Sequence, residues 1–394
     1  MSTTSAQRRA YSGPVIFSHG FRPFFLLAGI WAAIAMSIWM AFLASGTTIP
    51  SHLIGADWHM HEMVFGYSSA VIAGFLMTAV PNWTGRMPVV GWPVAALAAL
   101  WLAGRIALLI SVWLPIFLAP LIDLSFLLVL GGLIAREIIA GKNWRNLPIL
   151  ALVALLTAAN TIFHFEAIYG AAFDGYGIRM GVGVIIFLIS LIGGRVIPSF
   201  TRNWLARRTP GRLPSPMDRY DLLTLGLSGV TIIAWIITPE TIGVRILATL
   251  AGVLHLIRLA RWAGDRTFYE PLVTILHLGY LFVPVGFLMI GIGDMLPGWG
   301  RAAQIPHAWS AGAVGVMTLA MMTRASLGHS GRPLTATASI TAIYAAVILA
   351  VLLRILAEML PTVVHLLHMS ATAWIIGFAG FAIVYFPILT RPKR

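Results

Sequence analysis

Apolar positions run through this chain in long unbroken stretches, and polar positions gather in short clusters between them. A stretch of about 20 apolar residues matches the length of a helix that crosses a hydrocarbon layer. On that criterion the first half predicts helices over 24–45, 59–81, 92–112, 114–135, 147–168 and 176–197. The second half predicts them over 220–238, 243–262, 270–292, 306–325, 335–357 and 363–387. The expected fold is all-α: a polytopic membrane protein with twelve transmembrane helices over 24–387, a cytoplasmic N-terminal segment 1–23 and a basic cytoplasmic tail 388–394. The polar start MSTTSAQRRAYSG shows no cleavable signal pattern, so the first helix is expected to direct its own insertion.

Charge supports this and orients it. Hydrophobic residues make up 59% of the 394 and charged ones only 10%, against about 25% charged in a soluble domain. The net charge of +13 is spread over the interhelical clusters and is not gathered on one solvated face, which argues against nucleic acid and for the positive-inside rule. With the N-terminus inside, 21 of the 26 Lys and Arg fall on the inner side, among them Arg8, Arg9, Lys393 and Arg394. Arg179, Arg245 and Arg301 fall outside, and Arg105 and Arg354 lie within spans. The expected location is therefore the bacterial inner membrane, with both termini cytoplasmic and the lipid bilayer as the principal partner.

The ends of the second, sixth and tenth predicted helices read GFLMTAVPNWTGRMP, LIGGRVIPSFTRNW and VMTLAMMTRASLGHSGRP. Each passes from an apolar run through Thr and Arg into a basic loop. Three repeats of four helices is one reading, and chance likeness within a biased membrane composition is the other.

Without a single Cys, thiolate catalysis and cysteine-ligated clusters are excluded, and any metal must rest on His, Met or carboxylate. The histidines then sort by depth. His59, His61, His164, His307, His365 and His368 lie toward the outer face, and His255 and His277 share a level toward the cytoplasm. His19 and His329 lie near the inner surface and His52 in an outer loop. At about 100° per residue, His59 and His61 point to nearly opposite sides of their helix and suit two different centres. His365 and His368 share a face and suit one. His255 and His277, on consecutive antiparallel helices, are disposed either to hold a haem edge-on or to hydrogen-bond between helices.

Glu62 is placed to orient the His61 imidazole or relay a proton, or to sit as a helix N-terminal carboxylate. Arg105 and Asp123 are candidates for a buried pair, and Arg354 with Glu358 for an intrahelical one. Arg195 and Arg324 suit either haem propionates or membrane anchoring.

Several of these stretches together resemble the NnrS family of haem- and copper-containing membrane proteins of nitric oxide metabolism. They are HGFRPFFLLAG at 19–29, WHMHEMVFGYSSAVIAGFLMTAVPNWTG at 58–85, NWRNLP at 143–148 and GGRVIPSFTRNWL at 193–205. LHLIRLARWAGDRT at 254–267, EPLVTILHLGY at 270–280 and MTLAMMTRASLGHSGRPL at 317–334 follow in order. The resemblance implies haem b and copper as cofactors, and it singles out His19, His59, His61, Glu62, His255, His277, His307 and His329. It does not reach His365 and His368. The catalytic subunits of haem-copper oxidases and nitric oxide reductases are a more distant architectural likeness.

Three functions remain open at this stage. The first is an oxidoreductase that binds nitric oxide at a His-ligated haem and reduces it to N2O, drawing electrons from quinol or a reduced carrier, with Glu62 as the catalytic carboxylate. The second is a protein that binds NO, or protects metal centres, without turnover in denitrification or nitrosative stress. The third is a transporter whose helices, broken at Pro81, Pro198 and Pro284, line a path.

Overall fold

The computed structural model describes residues 11–86, 88–208, 210–295 and 306–392. Arg8, Arg9, Arg301, Lys393 and Arg394, which entered the charge count above, lie outside these residues. Among the described residues every regular element is helical. Eleven helices are long and apolar enough to cross a membrane. They are α1 (Phe21–Ser45), α2 (Ala56–Thr84), α3 (Trp92–Leu109), α4 (Leu118–Ala140), α5 (Leu147–Ile168) and α6 (Tyr176–Leu205). The others are α7 (Arg219–Ile237), α8 (Ile242–Ala260), α9 (Pro271–Ile292), α11 (Ala338–Met359) and α12 (Val364–Thr390). The expected tenth span is present as α10, a π-helical segment Ala308–Val316 running directly into Met317–His329.

The predicted limits hold to within a few residues at most ends. Two differences have local causes. The chain around Pro115 forms short turns, with Leu118 N bonding to Pro115 O, and delays α4 from 114 to 118. α6 continues to Leu205 instead of stopping at 197, because Pro198 is carried inside the helix. Pro81 and Pro284 likewise sit inside α2 and α9. The helices therefore continue through all three prolines, where the sequence suggested breaks.

Side chains at helix ends meet the orphan backbone donors. Asp218 caps α7 by accepting from Tyr220 N and Asp221 N, and Asp221 returns the bond to Asp218 N. Asp218 lies outside the spans, and the Arg261 guanidinium hydrogen-bonded to it holds its carboxyl below the usual range. Glu270 and Thr337 cap α9 and α11. Large apolar side chains such as Leu128 and Ile233 stand about 60% exposed on helix surfaces, as lipid contact requires.

The chain divides into two compact units. Unit 1 comprises residues 11–181, 325–332 and 378–392 as described here. Within it α1 packs on α2, α2 on α4, α3 on α4 and α4 on α5. Unit 2 comprises 182–324 and 333–377, where α8 and α9 pack together, α7 packs on α8, and the π segment of α10 packs on α9 and α11. Lipid tails are as apolar as Leu, so these helices associate through close packing and buried polar bonds more than through a hydrophobic drive. Both devices converge in unit 1.

Candidate metal centre

The site begins with an irregularity in α2. Residues Glu62–Tyr67 form a π-helical segment, and such widened turns recur at functional sites because they re-aim side chains. The turn leaves His61 and Glu62 adjacent, both fully buried. The Gly66 carbonyl within it accepts from Trp101 Nε1 at 3.0 Å. A Cβ on Gly104 would stand 3.2 Å from Asp123 Cα, so glycine there brings α3 close to α4 beside Arg105. On α5, Asn160 and His164 lie four apart and share one face.

These elements aim six polar side chains at one another. Asp123 Oδ2 lies 3.2 Å from His61 Nε2, 3.1 Å from His164 Nε2 and 2.7 Å from Asn160 Nδ2. Its other oxygen takes a bond from Arg105 Nη2. Glu62 Oε2 accepts from Arg105 Nη1 and Trp31 Nε1, both at 2.7 Å, and Glu62 Oε1 lies 3.2 Å from His61 Nδ1. Phe65 and Phe163 pack against the His61 ring at 5.4 and 5.5 Å. None of the six is more than 4% exposed.

The donor and acceptor count around His61 is informative. Nδ1 faces a carboxylate, and Nε2 faces Asp123 and, at 3.0 Å, Asn160 Oδ1. Asn160 cannot turn over, because its Nδ2 is bound to Asp123. Both ring nitrogens therefore meet only acceptors, whereas a neutral imidazole has one N–H to give. Either a second proton or a metal ion must stand at Nε2. Charge leads to the same place, since two buried carboxylates face a single guanidinium and lack one positive charge.

A metal ion fits the donor set. One ligand atom each from His61, Asp123 and His164 lies within 4.8 Å of the other two. Ligands held at about 2.1 Å from an ion stand about 3.0–3.4 Å apart, and the two imidazole-to-carboxylate separations of 3.2 and 3.1 Å agree with that. Two imidazoles with one carboxylate suit iron or another first-row transition metal. Glu62 behind Nδ1 then completes a carboxylate–histidine–metal arrangement. A haem does not fit at this place: a mere Cβ on Gly66 would meet Arg105 Nη1 at 2.4 Å and Glu62 Oε2 at 2.6 Å. Gly66→Ala is accordingly expected to part Arg105 from Glu62 and to cut metal retention of the purified protein severely, measurable by elemental analysis after dialysis.

The other sequence-predicted residues lie elsewhere. His59 leaves α2 on a different side from His61 and stacks on Trp39 at 4.8 Å. In unit 2, Arg258 donates to Tyr280 Oη, so the Tyr280 proton goes to His255 Nδ1, and His255 Nε2–H bonds Ser228 at 2.8 Å. With Phe287 stacked on its face, His255 takes the interhelical hydrogen-bond role and offers no open nitrogen to a haem. His277 bonds Thr201 through Nε2, and its Nδ1, without a hydrogen-bond partner among the described residues, abuts Gly264, where a Cβ would lie 2.6 Å away. That leaves no slot for a macrocycle at His277 either. His307 pairs with Glu358, which Arg354 also approaches at 3.5 Å as an intrahelical pair. Arg195 is exposed, and Arg324 is buried with its guanidinium 4.1 Å from the centre of the Phe200 ring. His19 and His329 both contact the Phe21 ring in unit 1.

Of the predicted site residues, only His61 and Glu62 enter the cluster. Sequence reasoning had Arg105 and Asp123 as a buried pair without a role, placed His164 by depth alone, and passed over Asn160. The signal for the last two was their four-residue spacing on an apolar helix.

Compared with known families, residues 15–393 match the one described as NnrS protein. No curated protein matches the chain.

Proposed function

The chain belongs to the NnrS family, and from that premise we propose that it is an inner-membrane protein of nitric oxide detoxification, reducing NO to N2O at a metal ion held by His61, Asp123 and His164. The observation that carries the reading is the fully buried cluster of two imidazoles and one carboxylate, one positive charge short. The proposed topology has twelve crossings with both termini cytoplasmic, consistent with eleven clear spans plus the 308–329 helix.

When bound, the ion supplies a Lewis-acidic, redox-active position to which NO can coordinate. The protein's own groups do the rest. Glu62 accepts the His61 Nδ1 proton and fixes which nitrogen faces the ion. Arg105 bridges Glu62 and Asp123 and holds both carboxylates pointing inward. Phe65 and Phe163 pack against the ring and keep water from it. The overall reaction joins two NO with two electrons and two protons to give N2O and water, the electrons coming from quinol or a reduced carrier. Of the two cofactors implied by the family resemblance, a lone copper ion matches this donor set, and a haem would need another pocket.

Anaerobic assays in proteoliposomes, with a quinol donor and N2O measured by gas chromatography, test this. Turnover is expected in the native protein and loss of it in His61→Ala and Asp123→Asn. Unchanged N2O formation in both variants would overturn the site. One observation favours a second reading, NO binding without turnover: every group in the cluster is buried, and among the described residues its hydrogen bonds end at Trp31 and His164 without reaching a surface carboxylate. Stoichiometric NO uptake with no N2O would establish that reading.

A further inference from the structure

Six rings of unit 2 touch in succession, and none of them belongs to the His61 cluster. Between ring centres, Trp235 on α7 meets Trp309 edge-on at 5.3 Å, Trp309 meets Phe287 at 4.9 Å, and Phe287 stacks on His255 at 5.4 Å. His255 lies 5.7 Å from Tyr280, and Tyr280 lies 4.6 Å from Trp262. The rings come from α7, α8, α9, α10 and the turn after α8, and none is more than 2% exposed.

Packing alone would be served by apolar side chains at all six positions. The bonds in the middle of the row are more particular. Arg258 Nη1 donates to Tyr280 Oη at 2.8 Å, which directs the Tyr280 proton to His255 Nδ1 at 2.9 Å. His255 Nε2–H is given to Ser228 Oγ, and Ser228 gives its own proton to Thr224 O. His255 Nδ1 is therefore a neutral base aligned on a phenol proton.

The tryptophans of the row lack such a base. Trp235 Nε1 has no hydrogen-bond partner among the described residues, and Trp309 Nε1 bonds the Val283 carbonyl, which is too weak a base to take a proton. Trp262 has the Arg258 guanidinium 5.3 Å from its ring centre, which disfavours a second positive charge there. A Trp that lost an electron would remain a buried, uncompensated cation, which is costly, whereas Tyr280 sheds its proton as its electron leaves. An electron vacancy entering the row thus settles on Tyr280. The charge that His255 gains faces an Arg258 already neutralised by Asp221 at 2.7 Å. The row also begins near lipid, since Ile233 and Ile237, two residues to either side of Trp235, are 60% and 58% exposed.

We propose that Tyr280 and His255 form a redox-active pair that takes up the oxidising equivalent of nitrogen dioxide, the small, uncharged, lipid-soluble radical that NO forms with dioxygen. One electron passes from the Tyr280 phenol through the row to nitrogen dioxide, which leaves as nitrite. The Tyr280 O–H bond breaks, the proton forms an N–H bond at His255 Nδ1, and a neutral phenoxyl radical remains. The choice of oxidant rests on the family membership, and the proposal stands whether or not the His61 cluster reduces NO.

The test gives nitrogen dioxide, generated by pulse radiolysis of nitrite, to the full chain in detergent micelles. Radicals are followed by absorption and by freeze-quench EPR, with ascorbate mixed in after the pulse. Exposed tyrosines such as Tyr169 and Tyr269 lose their radicals to ascorbate, whereas the fully buried Tyr280 is expected to keep a tyrosyl signal. That signal is expected to vanish in Tyr280→Phe and to form about 100-fold more slowly in His255→Gln, where the base is gone. 3-Fluorotyrosine placed at position 280 keeps every bond and is expected to add a fluorine splitting to the spectrum, which a merely structural Tyr280 would not produce. No ascorbate-resistant tyrosyl signal in the native protein, or a signal that persists in Tyr280→Phe and is unsplit by the fluorotyrosine, would overturn the proposal.

Discussion

Replacing Arg105 by Met is expected to destabilise unit 1 by about 3–5 kcal/mol, the cost of stranding a buried charge when its partner is removed. Here two carboxylates are stranded, since Arg105 is the cation that bonds both Glu62 and Asp123. The side chain is only 2% exposed, so water cannot screen the loss. Met keeps the length and the apolar stem and isolates the charge as the cause. Adding Glu62→Gln to Arg105→Met is expected to recover part of the loss, because one of the two uncompensated charges is then gone. Denaturant unfolding in micelles checks this, and a change below about 1 kcal/mol would show that the three groups do not share the charge account described.

Metal affinity should respond more steeply still. His61→Ala and Asp123→Asn each delete an atom of the donor set, and both are expected to leave the purified protein without bound ion. Glu62→Gln leaves every ligand in place and alters the group behind His61 Nδ1, which also accepts from Arg105 and Trp31, and losses of about 10–100-fold in metal affinity are usual at such a position. This graded outcome separates orientation of the imidazole from direct ligation. His255→Ala serves as the contrast, because both nitrogens of His255 are engaged by Ser228 and Tyr280 and its loss should leave the ion in place. Equilibrium titration with competing chelators measures all four. Equal affinity in Glu62→Gln and the native protein would remove Glu62 from the metal's surroundings.

The fold was largely legible because the bilayer imposes one repeating requirement, about 20 apolar residues per crossing, and the limits of α5, α7 and α9 follow from it almost residue for residue. The departures came where proline acts locally, before α4 and within α6. The π segments were not legible, since a widened turn answers to neighbours such as Trp101 that sequence spacing cannot supply.

The site was legible in part for the same reason. Spacing along one helix separates His59 from His61, and their rings do pack against different partners. Depth set His164 at the level of His61, and the two rings do lie 4.8 Å apart, but depth does not say which helix faces which. That Asp123 stands between two imidazoles is a fact of how α2, α4 and α5 pack, and no motif within α4 announces it. The matched level of His255 and His277 left a shared haem and interhelical hydrogen bonds as alternatives, and which neighbours each imidazole meets, Tyr280 and Ser228 for His255 and Thr201 for His277, is set by packing.

X-ray absorption on the purified protein, read together with metal stoichiometry, tests the central claim most directly. One ion per chain with two imidazole nitrogens and a carboxylate oxygen in its first shell, lost in Asp123→Asn and kept in His255→Ala, is the expected result. An ion that survives Asp123→Asn and His61→Ala alike, or a sole metal content of haem iron with two axial histidines, would contradict it.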